Sequence, residues 1–147
     1  MSGGRNLAPT RRFVINEFVR WSDIDYARIM RYSAYPRFLE LAEAELFRSL
    51  GIPYHELFTR FGVSLPRRTM HFDFHGPARL DDELELTAWF GHVGATSLRF
   101  DLEMRQAASR ALVATGQMVL VCTAVEHLEK KPIPAELRAL IAPYTSG

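Results

Sequence analysis

Arg20–Leu50 reads RWSDIDYARIMRYSAYPRFLELAEAELFRSL, and its two halves follow different rules. From Ser33 to Leu50, Tyr35, Phe38, Leu39, Ala42, Leu46 and Leu50 recur at helical spacing. Leu41, Ala44 and Phe47 widen that face, leaving Arg37, Glu40, Glu43 and Arg48 as a narrow polar strip. A helix so apolar is expected to be covered on most sides. Gly51 is a good residue for ending it, and Pro53 prevents its continuation. Ahead of the helix, residues 22–31 carry no periodicity and hold two acids, Asp23 and Asp25. A carboxylate is thus set just before a helix N-terminus, where free N–H groups and the helix dipole favour developing negative charge. Carbonyl chemistry uses that combination.

Working outward, Phe13–Trp21 reads as a strand, with Phe13, Ile15, Val19 and Trp21 on one parity and Glu17 interrupting it. A short helix is expected over Tyr54–Phe61, closed by Gly62. Four strand-like runs follow, at Val63–His75, Glu83–His92, Thr96–Gln106 and Ala111–Glu126. Gly76-Pro77, Gly94 and Ala108-Ser109-Arg110 separate them as turns. Pro134–Ile141 has the pattern of a terminal helix, and residues 1–12, rich in Gly, Pro and Arg, that of a flexible segment. The chain is therefore expected to be one α+β domain over residues 13–147, an antiparallel sheet wrapped around a long central helix. Such a sheet leaves an open edge, which a second copy can cover.

Composition narrows the function. The 147 residues hold 18 basic and 17 acidic side chains, for a net charge of +1. This balance gives no reason to expect nucleic-acid binding. The one cysteine, Cys122, lies in the apolar run MVLVCTAV and reads as a buried thiol. No segment has the length or apolarity of a membrane span or secretory leader, so a cytoplasmic location is expected. GxGxxG, P-loop, GxSxG, CxxC and HExxH motifs are absent.

The segment resembles the signature of the 4-hydroxybenzoyl-CoA thioesterase-type hotdog proteins. Arg20, Trp21, Asp23, Asp25, Ile29, Met30, Tyr35, Phe38 and Glu40 fall in register with it. The likeness continues through Gly51–Tyr54, Pro77–Glu83 and Ala114–Gly116, and covers about residues 13–142. It implies the hotdog fold and hydrolysis of an acyl-CoA to a carboxylic acid and CoA. No cofactor is implied beyond the CoA that the substrate carries. It also implies a homodimer with the active site between subunits, tetramers being common among relatives.

By this resemblance Asp25 is the catalytic carboxylate, as general base on water or as nucleophile on the thioester carbonyl. The backbone N–H of Tyr32, or of a neighbour at the helix start, is the oxyanion donor. Read alone, Asp25 could equally cap a turn and Tyr32 could simply pack. Three positions depart from the family pattern. Arg28 replaces a glycine that permits close approach or positive φ, Ala34 replaces a common Asn, and Arg31 stands where many relatives carry His. These changes bear on substrate class and rate more than on fold.

Candidate substrate contacts are Arg28, Arg31 and Tyr35 beside the loop, the turn residues Thr96 and Ser97, and the cations Arg67, Arg68, Arg99, Lys130 and Lys131. Asp23 reads as a solvated loop charge and Glu43 as a fallback base. His71, Asp73 and His75 alternate and could share one strand face as a metal set. A polar face opposite Met70, Phe72 and Phe74 is the plainer account. Hotdog hydratases use an Asp…His pair, and no His lies between Asp25 and the long helix. Two alternatives to an acyl-CoA thioesterase remain: a non-catalytic acyl-CoA or acyl-carrier binder, and a thioesterase acting on acyl-carrier-protein substrates.

Overall fold

The computed structural model describes residues 11–146. Strand β1 (Phe13–Phe18) leads through a 3-10 turn (Trp21–Asp23), the loop and a second 3-10 turn (Tyr32–Ala34) into helix α1 (Tyr35–Ser49). Helix α2 (Tyr54–Thr59) follows. Then come β2 (Val63–Ser64), β3 (Arg67–Phe74), β4 (Glu83–Val93), β5 (Ser97–Gln106), β6 (Leu112–Val121), β7 (Thr123–Ala124) and helix α3 (Ala135–Ile141). Five strands form one antiparallel sheet in the order β1-β4-β5-β6-β3. Helix α1 packs on its inner face against β1, β4 and β5. The expected helix wrapped by an antiparallel sheet is what forms.

The inner sheet face meets the wide apolar face of α1. Phe38, Leu39, Leu46 and Phe47 on the helix are buried against Leu84, Leu86, Phe90, Phe100 and Leu102. Each such side chain contributes roughly 1.5–3 kcal/mol by leaving water. Gly51 ends α1 at φ +79°, the left-handed conformation for which glycine is suited. Close approach explains a second glycine. A Cβ on Gly116 would lie 2.7 Å from the ring of Phe72, opposite it on β3.

Several expected boundaries shift for identifiable reasons. The first strand stops at Phe18, not Trp21, and the Trp21 indole is 77 % exposed. Glu17, which interrupts the apolar parity, does face inward, where it pairs with Arg37 of α1 at 2.8 Å. The run Val63–His75 divides at Pro66, which has no N–H to give to a ladder, into β2 paired with β7 and β3 paired with β6. The run Ala111–Glu126 divides at Cys122, whose amide turns away to the Thr96 carbonyl at 2.7 Å. The Cys122 thiol is buried, and burial pushes its pKa up.

Residues 1–10 of the expected flexible segment lie outside the described residues. Arg11 and Arg12 are seated. The Arg11 amide donates to the Pro143 carbonyl at 2.9 Å, and the Arg12 guanidinium lies 4.0 Å above the Trp89 ring. Among the described residues, no helix is long and apolar enough to cross a membrane.

Candidate active site

The loop between β1 and α1 is built from one tight turn and one buried ion pair. Ile24 and Met30 bridge across it, the Asp25 amide donates to the Ile29 carbonyl at 3.1 Å, and the Arg28 amide donates to the Asp25 carbonyl at 2.9 Å. To close this turn Arg28 adopts φ +67°. The backbone thus takes the conformation that a glycine allows, although the residue is arginine, at a cost of about 1–2 kcal/mol. The returning strand is pinned twice: Met30 N–H to Ala78 C=O at 2.7 Å, and Arg31 N–H to Asp23 C=O at 2.8 Å.

Asp23 corrects the expectation of a solvated charge. It is 2 % exposed and accepts from Arg37 Nε at 2.9 Å, Arg37 Nη2 at 2.6 Å and the Arg20 amide at 2.8 Å. Burial by itself would raise its pKa. The Arg37 and Arg20 hydrogen bonds and the Arg37 charge outweigh burial and hold the carboxyl below its ordinary range. Glu17, on the other side of the same guanidinium, is held low in the same way, against burial. This cluster ties β1, the loop and α1 together by charge.

A pH prediction follows from these two groups. Their folded values lie below the ordinary 3.8 of Asp and 4.5 of Glu. The stability they add is therefore fully present above those values and lost as pH falls through the lowered ones. Arg37→Met is expected to cost about 2 kcal/mol at pH 7, less than a fully buried pair because the guanidinium is partly exposed. The gap between variant and wild type closes as unfolding is measured progressively below pH 4.5. A gap that stayed constant down to the acid limit would show that the cluster does not carry it.

Asp25 is exposed, in contrast to Asp23. Its Oδ1 accepts from the Ala27 amide at 2.9 Å, so the turn-capping role open to it in sequence is real. Only one oxygen is used, and Oδ2 has no hydrogen-bond partner among the described residues. The side chain borders two cavities. One, of about 480 Å³, is lined by Asp25, Ile29, Met30, Tyr32, Tyr35 and Phe74 and continues to His75–Pro77. The other, of about 590 Å³, is lined by Asp25, Trp21, Ile24, Arg28, Arg79 and Leu80.

The first cavity brings the two proposed catalytic elements together. Tyr32 opens the 3-10 turn that runs directly into α1, and no side chain among the described residues caps that turn. Amides at such a start point outward with partial positive charge. The Tyr32 ring itself is 79 % exposed and does not pack, contrary to the plainer reading of that residue. The cavity wall is aromatic. Tyr35 meets Phe74 edge-on at 4.7 Å and Phe72 at 5.9 Å, while Phe72 and Phe74 stack at 6.3 Å. Burial raises the Tyr35 pKa, so its phenol stays protonated.

The other candidates separate into groups. Arg28 lines the second cavity. Arg31 is exposed beside the 3-10 turn. Arg68, Thr96, Ser97, Lys130 and Lys131 gather at the opposite end of the sheet. There β3 begins, the Thr96 carbonyl accepts from Cys122, Ser97 opens β5, and Lys130 bridges Thr123. The eight residues of β3 separate that end from Phe74 by roughly 23 Å. Within one protomer these residues are not brought to Asp25.

Glu43 is fully buried and faces Tyr54 and Arg67, each of which hydrogen-bonds Oε1, while Oε2 has no partner among the described residues. It borders neither cavity at Asp25. Arg99 is spent on Asp101 at 2.9 Å. His71 and Asp73 do share the outer strand face and touch at 3.1 Å. His75 leaves it, because β3 ends at Phe74 and the His75 amide turns to the Val113 carbonyl. No group of three metal-ligating side chains occurs among the described residues.

Known proteins share both this sequence pattern and this fold. The sequence profile of the thioesterase-like superfamily matches residues 19–141. The chain belongs to that superfamily. Among relatives of this thioesterase-like chain, the acyl-CoA thioester hydrolase YbgC of Escherichia coli O6:H1 is 29 % identical over 114 residues, covering 78 % of this chain and 82 % of YbgC. A thioesterase-superfamily structure from Jannaschia sp. CCS1 is 26 % identical with a TM-score of 0.84, covering 96 % of this chain and 99 % of that one. Slr0204 of Synechocystis, a 1,4-dihydroxy-2-naphthoyl-CoA thioesterase, superposes at a TM-score of 0.83 with 23 % identity, over 90 % of this chain and 96 % of that one, and shares the fold.

Sequence reasoning missed Trp21 as a surface group and missed Arg79 and His75 as cavity-lining residues. Arg79 had a signal in Pro77-Ala78-Arg79-Leu80-Asp81-Asp82. What it lacked was the fold that sets this segment beside residues 21–28.

Proposed function

We propose that the protein is an acyl-CoA thioesterase, converting R–CO–S–CoA and water to R–COOH and CoA. The observation that carries this reading is the 480 Å³ cavity bounded both by the Asp25 carboxylate and by the uncapped turn starting at Tyr32. The thioester carbonyl lies between them. Asp25 acts either as general base on the water that attacks the carbonyl carbon or as nucleophile on that carbon itself. An amide at the helix start receives the charge on oxygen, a contribution of roughly 3–4 kcal/mol to the barrier. The acyl group occupies the wall of Tyr35 and Phe74. Family membership and the names of the relatives support the same activity.

The working unit in this reading is a homodimer joined at the free edge of β3. Among the described residues that strand is hydrogen-bonded only to β6, and it is exposed along most of its length. An antiparallel partner would set its basic start, Arg67-Arg68, against the end holding Asp73. It would also bring Thr96, Ser97, Lys130 and Lys131 of one copy toward Asp25 of the other. Sedimentation at micromolar concentration should give twice the monomer mass, and a 16.8 kDa species would remove this part of the reading.

The test of activity is CoA release from acetyl-, hexanoyl-, palmitoyl-, benzoyl- and phenylacetyl-CoA, with Asp25→Asn measured in parallel. Turnover that collapses in the variant supports a thioesterase using Asp25. Binding without turnover on every member, by folded protein, replaces it with an acyl-CoA binder. Turnover only when the acyl group is loaded on a carrier protein replaces the substrate.

A further inference from the structure

Tyr35 buries a hydroxyl that the fold does not use. The residue is 4 % exposed, and its hydroxyl has no hydrogen-bond partner among the described residues. Burial is the one influence on its acidity. Tyr54, which is half-buried, instead gives its hydroxyl to Glu43, while Tyr26 and Tyr32 leave theirs in solvent. A buried polar group without a partner is costly and rare. The Tyr35 oxygen is nevertheless not sealed in. Among the described residues, Glu43 Oε2 is the one unpartnered side-chain oxygen or nitrogen closed off from solvent. The space that Tyr35 lines is the 480 Å³ cavity shared with Asp25 and Tyr32. His75 borders it too, but is exposed and so finds water by itself.

Given the thioesterase reading, we infer that the Tyr35 hydroxyl is a second oxyanion donor, acting on the thioester oxygen beside the amide at the helix start. A side chain on a helix leans back over the turn N-terminal to its own Cα. For Tyr35 that turn is Tyr32–Ala34, the one that offers the amide. The ring is held from the other side by Phe74 at 4.7 Å and Phe72 at 5.9 Å, so the hydroxyl is fixed before substrate arrives. A preorganised donor in an apolar wall is worth most where charge develops only in the transition state. As the nucleophile adds to the carbonyl carbon, the π electrons of the carbonyl move to oxygen. The phenol donates a hydrogen bond to that oxygen and keeps its own proton. The double bond then re-forms, and the C–S bonding pair leaves on the CoA thiolate, which takes a proton from the Asp25 carboxyl or from water.

Tyr35→Phe tests this, since it removes the hydroxyl and leaves the ring. The melting temperature should not fall, because no protein group loses a partner. The kcat should fall about 100-fold with KM little changed, as for loss of one oxyanion donor. The loss should be the same for acetyl-CoA and benzoyl-CoA, since both present the same oxygen. A loss confined to one acyl group would make the hydroxyl a reader of the acyl chain and overturn the inference, as would unchanged kcat or a lowered melting temperature. A second measurement needs no turnover. It compares binding of two analogues of benzoyl-CoA, the ketone in which CH2 replaces sulfur and S-benzyl-CoA, which lacks the carbonyl oxygen. Tyr35→Phe should lower the preference for the ketone about fivefold, the value of one neutral hydrogen bond. That result with no thioester hydrolysed by wild type would keep the contact and sink the thioesterase reading alone. A preference unchanged in the variant overturns the contact whatever the turnover.

Discussion

Asp25→Asn is expected to lower hydrolysis of the best acyl-CoA by about 100- to 1,000-fold, the usual contribution of a positioned carboxylate. Thermal unfolding should not move. The side chain is exposed, and an amide oxygen can still accept the Ala27 N–H that Oδ1 accepts now. The variant thus keeps the turn and removes only the basic, nucleophilic charge. Asp23→Asn should behave in the opposite manner, weakening the fold through Arg37, because Asp23 points away from both cavities and into an ion pair. Steady-state CoA release and a melting curve on the two variants separate the roles. Full activity in Asp25→Asn would refute the mechanism, whatever the fate of Asp23.

The second large effect is on stability, and it lies at Arg67. Glu43, Tyr54 and Arg67 come from α1, α2 and β3 and meet over one buried carboxylate. Burial raises the Glu43 pKa, and the Arg67 charge with the Tyr54 and Arg67 hydrogen bonds opposes that rise. Arg67→Met takes away the opposing charge and leaves Glu43 with no cation. The expected cost is about 3 kcal/mol at pH 7, at the low end for a broken buried pair because the guanidinium is itself partly exposed. The sign of its pH dependence is fixed. A carboxyl raised in the folded state adds stability below its unfolded value of 4.5 and loses it as pH rises through the folded value. The penalty of Arg67→Met should therefore shrink as pH falls toward 4.5. Glu43→Gln combined with Arg67→Met should recover more than half of the loss, since no buried charge remains. Urea unfolding of the three proteins at pH 7 and pH 5 checks both statements. A single variant as stable as wild type would mean that Glu43 is already neutral.

The features read correctly from sequence were those set by near neighbours. The 3.6-residue spacing from Tyr35 to Leu46 decides which face of α1 is buried, and Gly51 decides where it ends. The alternation in Glu83–Gln106 decides two central strands. Family register located Asp25 and the helix start on one loop, and they do line one cavity. Features set by distant partners were not legible. Asp23 and Asp25 look alike in sequence, yet Asp23 is buried in an ion pair with Arg37, fourteen residues on, while Asp25 stays exposed. Glu43 looks like one more charge on a polar strip until Arg67 comes beside it from another element. Trp21 fits the strand parity, but the chain has already left the sheet at Phe18. Arg28 and Arg79 belong to separate loops, and nothing local in either marks them as facing one space.

The left-handed backbone at Arg28 also limits what can ever replace it. Glycine would relax the turn, and asparagine would sit there at small cost. Valine, isoleucine and threonine would collide with their own carbonyls whatever they offered a ligand. A library randomised at this position would therefore be sorted first by backbone and only then by chemistry. Its survivors would fall into two kinds, small residues that ease the loop and long unbranched ones that tolerate it. Position 28 can be tuned for charge and length, but its shape is already chosen.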